Sequence, residues 1–237
     1  MNELMRRCRA LMGLSGDASP YEHGTWDDLF WHIDNGSYKR AYTIGEVLPL
    51  NAGSNGDINA QIVAFDADEL ADGSGKAPVT IIAKNLLNNN VSVSGSPKRW
   101  DTVQMRNYMR NTILPTFPES IRQRIVTVKK SSGYYNTSTS EYVSDYMTED
   151  TIWAPSFREM RGGTTRETTG PIYSQIFTSN ASRKKGKANA PDTASGYRLR
   201  TTNSTNDTFY VINNNGDTAA NIGNSFGSGG CVGFCVG

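Results

Sequence analysis

The chain has 237 residues, 37% of them hydrophobic and 20% charged, with a formal net charge of +1. A balance this near to neutral gives no global field that would draw the protein to nucleic acid or to an anionic membrane, and no apolar run approaches the roughly 20 residues that span a bilayer. Length and composition fit one large globular domain with appended elements, able to bury roughly 70% of the surface of its unfolded form.

The opening segment, MNELMRRCRALMGL, lacks the continuous apolar core of a signal peptide. It reads as an amphipathic helix over residues 1–14, with Leu4, Cys8, Leu11 and Met12 on one face and Arg6, Arg7 and Arg9 elsewhere. So short a helix is marginal alone, so it is expected to dock on the body or on a neighbouring subunit. A homo-oligomer, with a trimer favoured, is the expected state. SGDASPYEHG follows as a linker. Residues 1–24 therefore form an attachment or oligomerisation element, and residues 25–237 a single domain.

TWDDLFWHIDNG predicts a helix with Thr25 as N-cap, Asp28 in an acidic variant of the capping box, and Asn35-Gly36 as the stop. YTIGEVLPL, INAQIVAFD and PVTIIAKNLL have strand character and predict an antiparallel set. The intervening turn carries Asp66, Asp68 and Asp72 but no closing Glu, so a solvated turn is expected there rather than a calcium loop. RWDTVQMRNYMRNTILPTFP predicts one helix, ended by Pro115 and Pro118, with Pro118 starting a short second one. VTVKK reads as a strand and SSGYYNTSTSEYVSDYMTED as a long polar turn. GYRLR, FYVIN and CVGFCV are short strands between polar loops. Helices and strands segregated along the chain, without βαβ alternation, give the class α+β.

Chemistry is sparse in the sequence. There is no dinucleotide fingerprint, phosphate loop or nucleophile elbow. The two histidines, His23 and His32, are spaced wrongly for one helix face, and Cys8, Cys231 and Cys235 match no zinc motif, so neither metal nor cofactor is expected. The cysteines read as small buried hydrophobes. Ser156 and Glu159 fit a capping box better than a nucleophile and its acid. Asp101, Glu149, Asp150 and Glu159 read as surface carboxylates. SRKKGKAN, with Arg183, Lys184, Lys185 and Lys187, reads as a solvated basic loop. Asn136, Asn180, Asn203 and Asn206 begin glycosylation triplets that matter only in a eukaryotic secretory setting. The large apolar residues of the patterned segments, Trp26, Phe30, Ile62, Val63, Trp100, Tyr108, Ile125, Trp153, Phe157, Leu199 and Phe234, are the expected core.

Four stretches in fixed order carry a resemblance: QIVAFDADELADGSGKAPVTIIAKNLL, RWDTVQMRNYMRNTILPTFPESIRQRIVTVKK, DTIWAPSFREMRGGTTRETTGPIYSQIF, and YRLRT with FYVINNNGD and GCVGFCV. Over residues 25–237 the chain resembles a family of uncharacterised domains found in tail-associated proteins of phages and prophages and in some bacterial surface proteins. Its carboxy-terminal third also resembles the C-type-lectin-like fold, including the variable proteins of diversity-generating retroelements. The triplets of calcium-dependent sugar sites are missing. The resemblance implies a C-type-lectin-like domain of short antiparallel strands, two or three helices and long polar loops. It also implies a variable binding face at about residues 200–228. Asn203, Asn206, Asp207, Tyr210, Asn213, Asn215, Asp217 and Phe226 are expected there, exposed and together, with Val211 pointing inward. The expectation is a non-catalytic virion adhesin, made in the bacterial cytoplasm. Its partners would be a host-surface protein or glycan and other virion proteins, with no nucleic acid and no membrane insertion. A structural decoration or adaptor protein and a glycan-cleaving virion enzyme are the alternatives.

Overall fold

A computed structural model describes residues 18–91, 99–203, 208–220 and 229–237. The expected helix at 1–14 with Cys8, and the site residues Asn206, Asp207 and Phe226, lie outside the described residues. Among the described residues are twelve strands, β1 to β12, and six short α-helices, α1 to α6, in a mixed helix-and-sheet architecture of small antiparallel sheets.

Helix α1 (Trp26–Asp34) starts and stops where its residues dictate. The Thr25 hydroxyl accepts from the Asp28 amide at 3.3 Å, and Asn35 with Gly36, at φ 64°, ends it. The capping box is only half made, because the Asp28 carboxylate turns away to accept from the Tyr42 hydroxyl at 2.6 Å. After α2 (Tyr38–Ala41) come β1 (Val47–Leu48), β2 (Ala60–Phe65) and β3 (Val79–Ala83). With β4 (Ile125–Val126) and the last strand, β12 (Gly233–Val236), they form a sheet of order β1-β2-β3-β12-β4. Strand β3 is apolar except for Thr80 and buried along its whole length, as a central strand with covered faces must be. The chain's end thus pairs with its middle, Phe234 opposite Ile81 and Cys235 opposite Thr80. Cys231 and Cys235 are buried free thiols, as expected for small apolar residues.

The helix expected from Arg99 to Pro118 is cut into three. Helix α3 (Gln104–Tyr108) widens into a π-turn at Met109–Ile113 and tightens into a 3-10 turn at Leu114–Thr116. Pro115 is the physical reason: it has no N–H to give back and its ring crowds the carbonyl four residues earlier. Pro118 then caps α4 (Glu119–Arg122).

The long polar turn expected after VTVKK is instead a hairpin of β5 (Val128–Asn136) and β6 (Glu141–Asp150). Ser131, Ser132 and Thr148 find partners across the two strands, so polarity did not preclude a strand. Helix α5 (Phe157–Arg161) carries the capping box expected of Ser156 and Glu159. The basic stretch is not a solvated loop: it forms α6 (Asn180–Arg183) and β7 (Lys185–Lys187), with Arg183 and Lys185 buried, paired to β8 (Ala190–Ser195). Strands β9 (Tyr197–Thr202), β10 (Phe209–Ile212) and β11 (Thr218–Ala220) form a three-stranded sheet with β10 in the centre.

Two apolar cores result. The larger joins α1, the five-stranded sheet, the segment 103–117 and Trp153. The smaller gathers Val63, Ile82, Leu86, Met160, Tyr173, Phe177, Tyr197, Leu199, Tyr210, Ile212 and Cys231 beneath the three-stranded sheet. Of the expected core, Phe30, Ile62, Val63, Trp100, Trp153, Leu199 and Phe234 are buried, whereas Trp26, Tyr108, Ile125 and Phe157 are partly buried at its margins.

Candidate binding surface and its buried support

The stretch from Tyr197 is divided between scaffold and surface. Strands β9 and β10 are buried throughout. Tyr210, expected as an exposed contact, is 8% exposed, and Val211 beside it is also buried. The reason is packing on both faces of β10: Phe209 enters the larger core, whereas Tyr210 and Ile212 enter the smaller one. The Tyr210 ring packs against Phe157 at 4.9 Å between centroids, and only its hydroxyl reaches outward, accepting from Arg166 Nε at 2.8 Å.

Arg166 organises one end of the surface. Its guanidinium lies over the Tyr210 ring at 5.2 Å and the Tyr142 ring at 5.6 Å. The Tyr142 hydroxyl donates to the Thr202 carbonyl at 3.1 Å. A Cβ on Gly133 would lie 2.0 Å from that hydroxyl, so the close approach of ring to strand requires glycine. Asn203 is half-buried beside them and pairs through its backbone with Thr208. Burial, and then the nearby Glu167 carboxylate, raises the Tyr142 phenol, so it stays a neutral hydrogen-bonding group.

The other end is the turn between β10 and β11. Asn213 Oδ1 accepts from the amides of Asn215 and Asp217, at 2.9 and 3.1 Å, which fixes the turn as an Asx-type loop. Gly216 sits at φ 79°, and an added Cβ there would lie 1.8 Å from the Asn180 carbonyl. Arg161 pairs with Asp217 at 2.7 Å. Asn215 is exposed; Asn213 and Asp217 are half-buried. Asn203 and the Asn213–Asp217 turn therefore stand at opposite ends of β10, separated by about 13 Å of strand, rather than in one cluster. Arg166, Arg161 and Tyr142 were absent from the expected set. Arg166 sits in an otherwise featureless Gly/Thr stretch, and Tyr142 in the segment read as a turn.

Beneath this surface lies a group of charges that the sequence disguised. Glu159, Asp150 and Asp68, read as solvated, are each 1% exposed. Glu149 is exposed and Asp101 half-buried. Glu159 takes two hydrogen bonds from Arg200, Nη1 to Oε2 at 2.7 Å and Nη2 to Oε1 at 2.9 Å. The Arg200 side chain also donates to the carbonyls of Ser131 and Ala154. Lys130 Nζ donates to Asp68 Oδ1 at 2.5 Å, to Glu159 Oε1 at 2.9 Å and to the Tyr173 hydroxyl at 3.0 Å. It lies 3.8 Å from the Trp153 ring centroid. Burial alone would raise the Glu159 carboxyl, but Arg200 and then Lys130 hold it down to about 2. Burial alone would neutralise Lys130, but Asp68 and Glu159 hold it above the ordinary lysine value. Nearby, Glu167 accepts from Thr201 and from the amides of Gly133 and Arg158, and burial pushes its carboxyl above the usual range. These bonds tie the segment after β2, β5, α5, the Tyr173 loop and β9 into one support.

Among the described residues no group of three or more His, Cys, Asp or Glu is placed to hold a metal ion, and no helix is long and apolar enough to cross a membrane. Residues 78–231 match the sequence pattern of a family described as a domain of unknown function (DUF6273). Neither the curated proteins nor the solved structures compared with the chain gave a match.

Proposed function

The chain belongs to the DUF6273 family, and for it we propose a binding role: a phage or prophage virion protein that recognises a host-surface protein or glycan without turning it over. The observation that carries this reading is the division of labour along residues 197–220. The aromatic and branched residues of β9 and β10 are buried, whereas Asn215 and the edges of Asn203, Asn213, Asp217, Tyr142 and Arg166 meet solvent. Asparagine and tyrosine edges around an arginine offer adaptable hydrogen bonds and stacking area at low entropic cost, the composition that antibody loops use. The resemblance to C-type-lectin-like variable proteins supports the same reading. In it the face at about 200–228 varies on a fixed scaffold, and residues 1–14 fasten the domain to the particle or to sister chains. The case rests on the surface, since a fold hosts many functions.

Labelled full-length protein is expected to bind intact host bacteria saturably and to leave their surface glycans unshortened. Loss of binding after protease treatment of the cells identifies a protein receptor, and loss after periodate identifies a glycan. Glycan shortening would overturn the proposal in favour of an enzyme. Neither binding nor shortening across the hosts that the particle infects would overturn it in favour of a decoration protein.

A further inference from the structure

We propose that Lys130 and Asp68 condense with each other, after the fold closes, into an intramolecular amide between side chains, with Glu159 carrying the proton. Three features of the buried site point to this chemistry. The first is proximity. Lys130 Nζ donates to Asp68 Oδ1 at 2.5 Å, so the nitrogen is held beside the carboxyl group that it would attack. Holding two such groups together in a fixed geometry replaces a second-order encounter by a first-order one.

The second is the set of groups around the reacting atoms. Thr80 Oγ1 and the Tyr173 hydroxyl donate to the other carboxyl oxygen, Asp68 Oδ2, at 2.6 and 2.9 Å. They stand where negative charge develops when the nitrogen adds to the carbon. Glu159 Oε1, 2.9 Å from Nζ, is placed to take a proton from that nitrogen. The third is dryness. The side chains of Lys130 and Asp68 are 0% exposed and that of Glu159 is 1% exposed, under the Trp153 ring. Water, which would reverse the step, is kept out.

The reaction balances without any other reagent. The ammonium of Lys130 first passes one proton to Asp68 across their hydrogen bond, giving amine and carboxylic acid. The nitrogen lone pair then forms the bond to the Asp68 carboxyl carbon. Glu159 moves a second proton from nitrogen to Oδ1, the bond from carbon to Oδ1 breaks, and Oδ1 leaves as water with both protons. Glu159 ends as it began. The charge ledger also closes: Lys130 and Asp68 lose their opposite charges together, and Glu159 keeps Arg200 as its own counter-ion. A buried ion pair, costly to desolvate, becomes a neutral amide. The bond ties the segment after β2 to β5 across 62 positions of chain. None of this depends on what the surface binds.

The test is the intact mass of the full chain after unfolding. The expected mass is lower than that of the sequence by one water, and a protease digest should yield one branched peptide holding Asp68 and Lys130. Lys130→Arg should restore the full mass. Glu159→Gln, shown to be folded by circular dichroism, should form the link at least tenfold more slowly. Full sequence mass in folded wild-type protein after prolonged incubation would overturn the proposal. So would a water loss that maps elsewhere, such as to Asp72-Gly73, where an aspartate before glycine can cyclise. A folded Glu159→Gln variant that links at the wild-type rate would overturn the part given to Glu159.

Discussion

Replacing Arg200 by alanine is expected to destabilise the fold by about 3–5 kcal/mol, the range for breaking a buried ion pair from one side. Arg200 is 2% exposed, and its guanidinium serves the Glu159 carboxylate and the carbonyls of Ser131 and Ala154. Without it Glu159 loses two of its hydrogen bonds, and the carbonyls of Ser131 and Ala154 lose a charged donor, in a place that water does not reach. Urea unfolding is the measurement, and a loss below about 1 kcal/mol would mean that the network is decorative. The acid limb gives a second readout. Glu159 is held from 4.5 down to about 2, so its contribution is fully present above about pH 4.5 and is lost as pH falls toward about 2. Arg200 is the largest influence holding that carboxyl down, so without it the acid unfolding of the variant should begin at higher pH than that of the wild type.

Trp153→Ala is expected to cost a comparable 3–5 kcal/mol or so, by leaving a cavity where two systems meet. The indole is 0% exposed and belongs to the larger core, and it also lies over the Lys130 ammonium at 3.8 Å. Its backbone pairs with Gly233 in both directions, at 2.9 and 2.7 Å, and a side chain at that glycine would collide with the indole nitrogen. Truncation thus removes apolar contact, opens the cover above Lys130, and loosens the seat of β12. Tyr21→Ala, at a residue 49% exposed, should change stability by less than about 0.5 kcal/mol in the same assay. Similar losses at both positions would refute this placement of the core.

What could be read from the sequence was whatever is encoded locally. Thr25 and Asn35-Gly36 mark the ends of α1 because caps act over one turn. The Ser156 and Glu159 box is legible for the same reason, and the apolar run of β3 announces a central strand. The support beneath the surface was not legible, because its members are distant in the chain and each looks ordinary in place. Asp68 sits in an acidic turn, Lys130 follows another lysine, and Arg200 alternates with apolar residues as an exposed strand position would. Their partners lie 62, 29 and 41 residues apart, and no local pattern records a pairing over that distance. Glu159 shows the limit most clearly: the capping role was visible and the ion pairs on the same carboxylate were not. Tyr210 was misplaced because alternation assigns one side of a strand to solvent, whereas β10 has an apolar core packed against each of its faces.

The claim that the surface binds and the buried charges support it is tested most directly by one variant with two readouts. Arg166, Asn203 and Asn215 are replaced together by alanine in the full chain, and unfolding and host-cell binding are measured on the same preparation. None of the three belongs to either apolar core, so stability should stay within about 1 kcal/mol of wild type. Binding to host cells should fall at least tenfold, the equivalent of about 1.4 kcal/mol of contact energy. Wild-type binding by a folded triple variant would contradict the account.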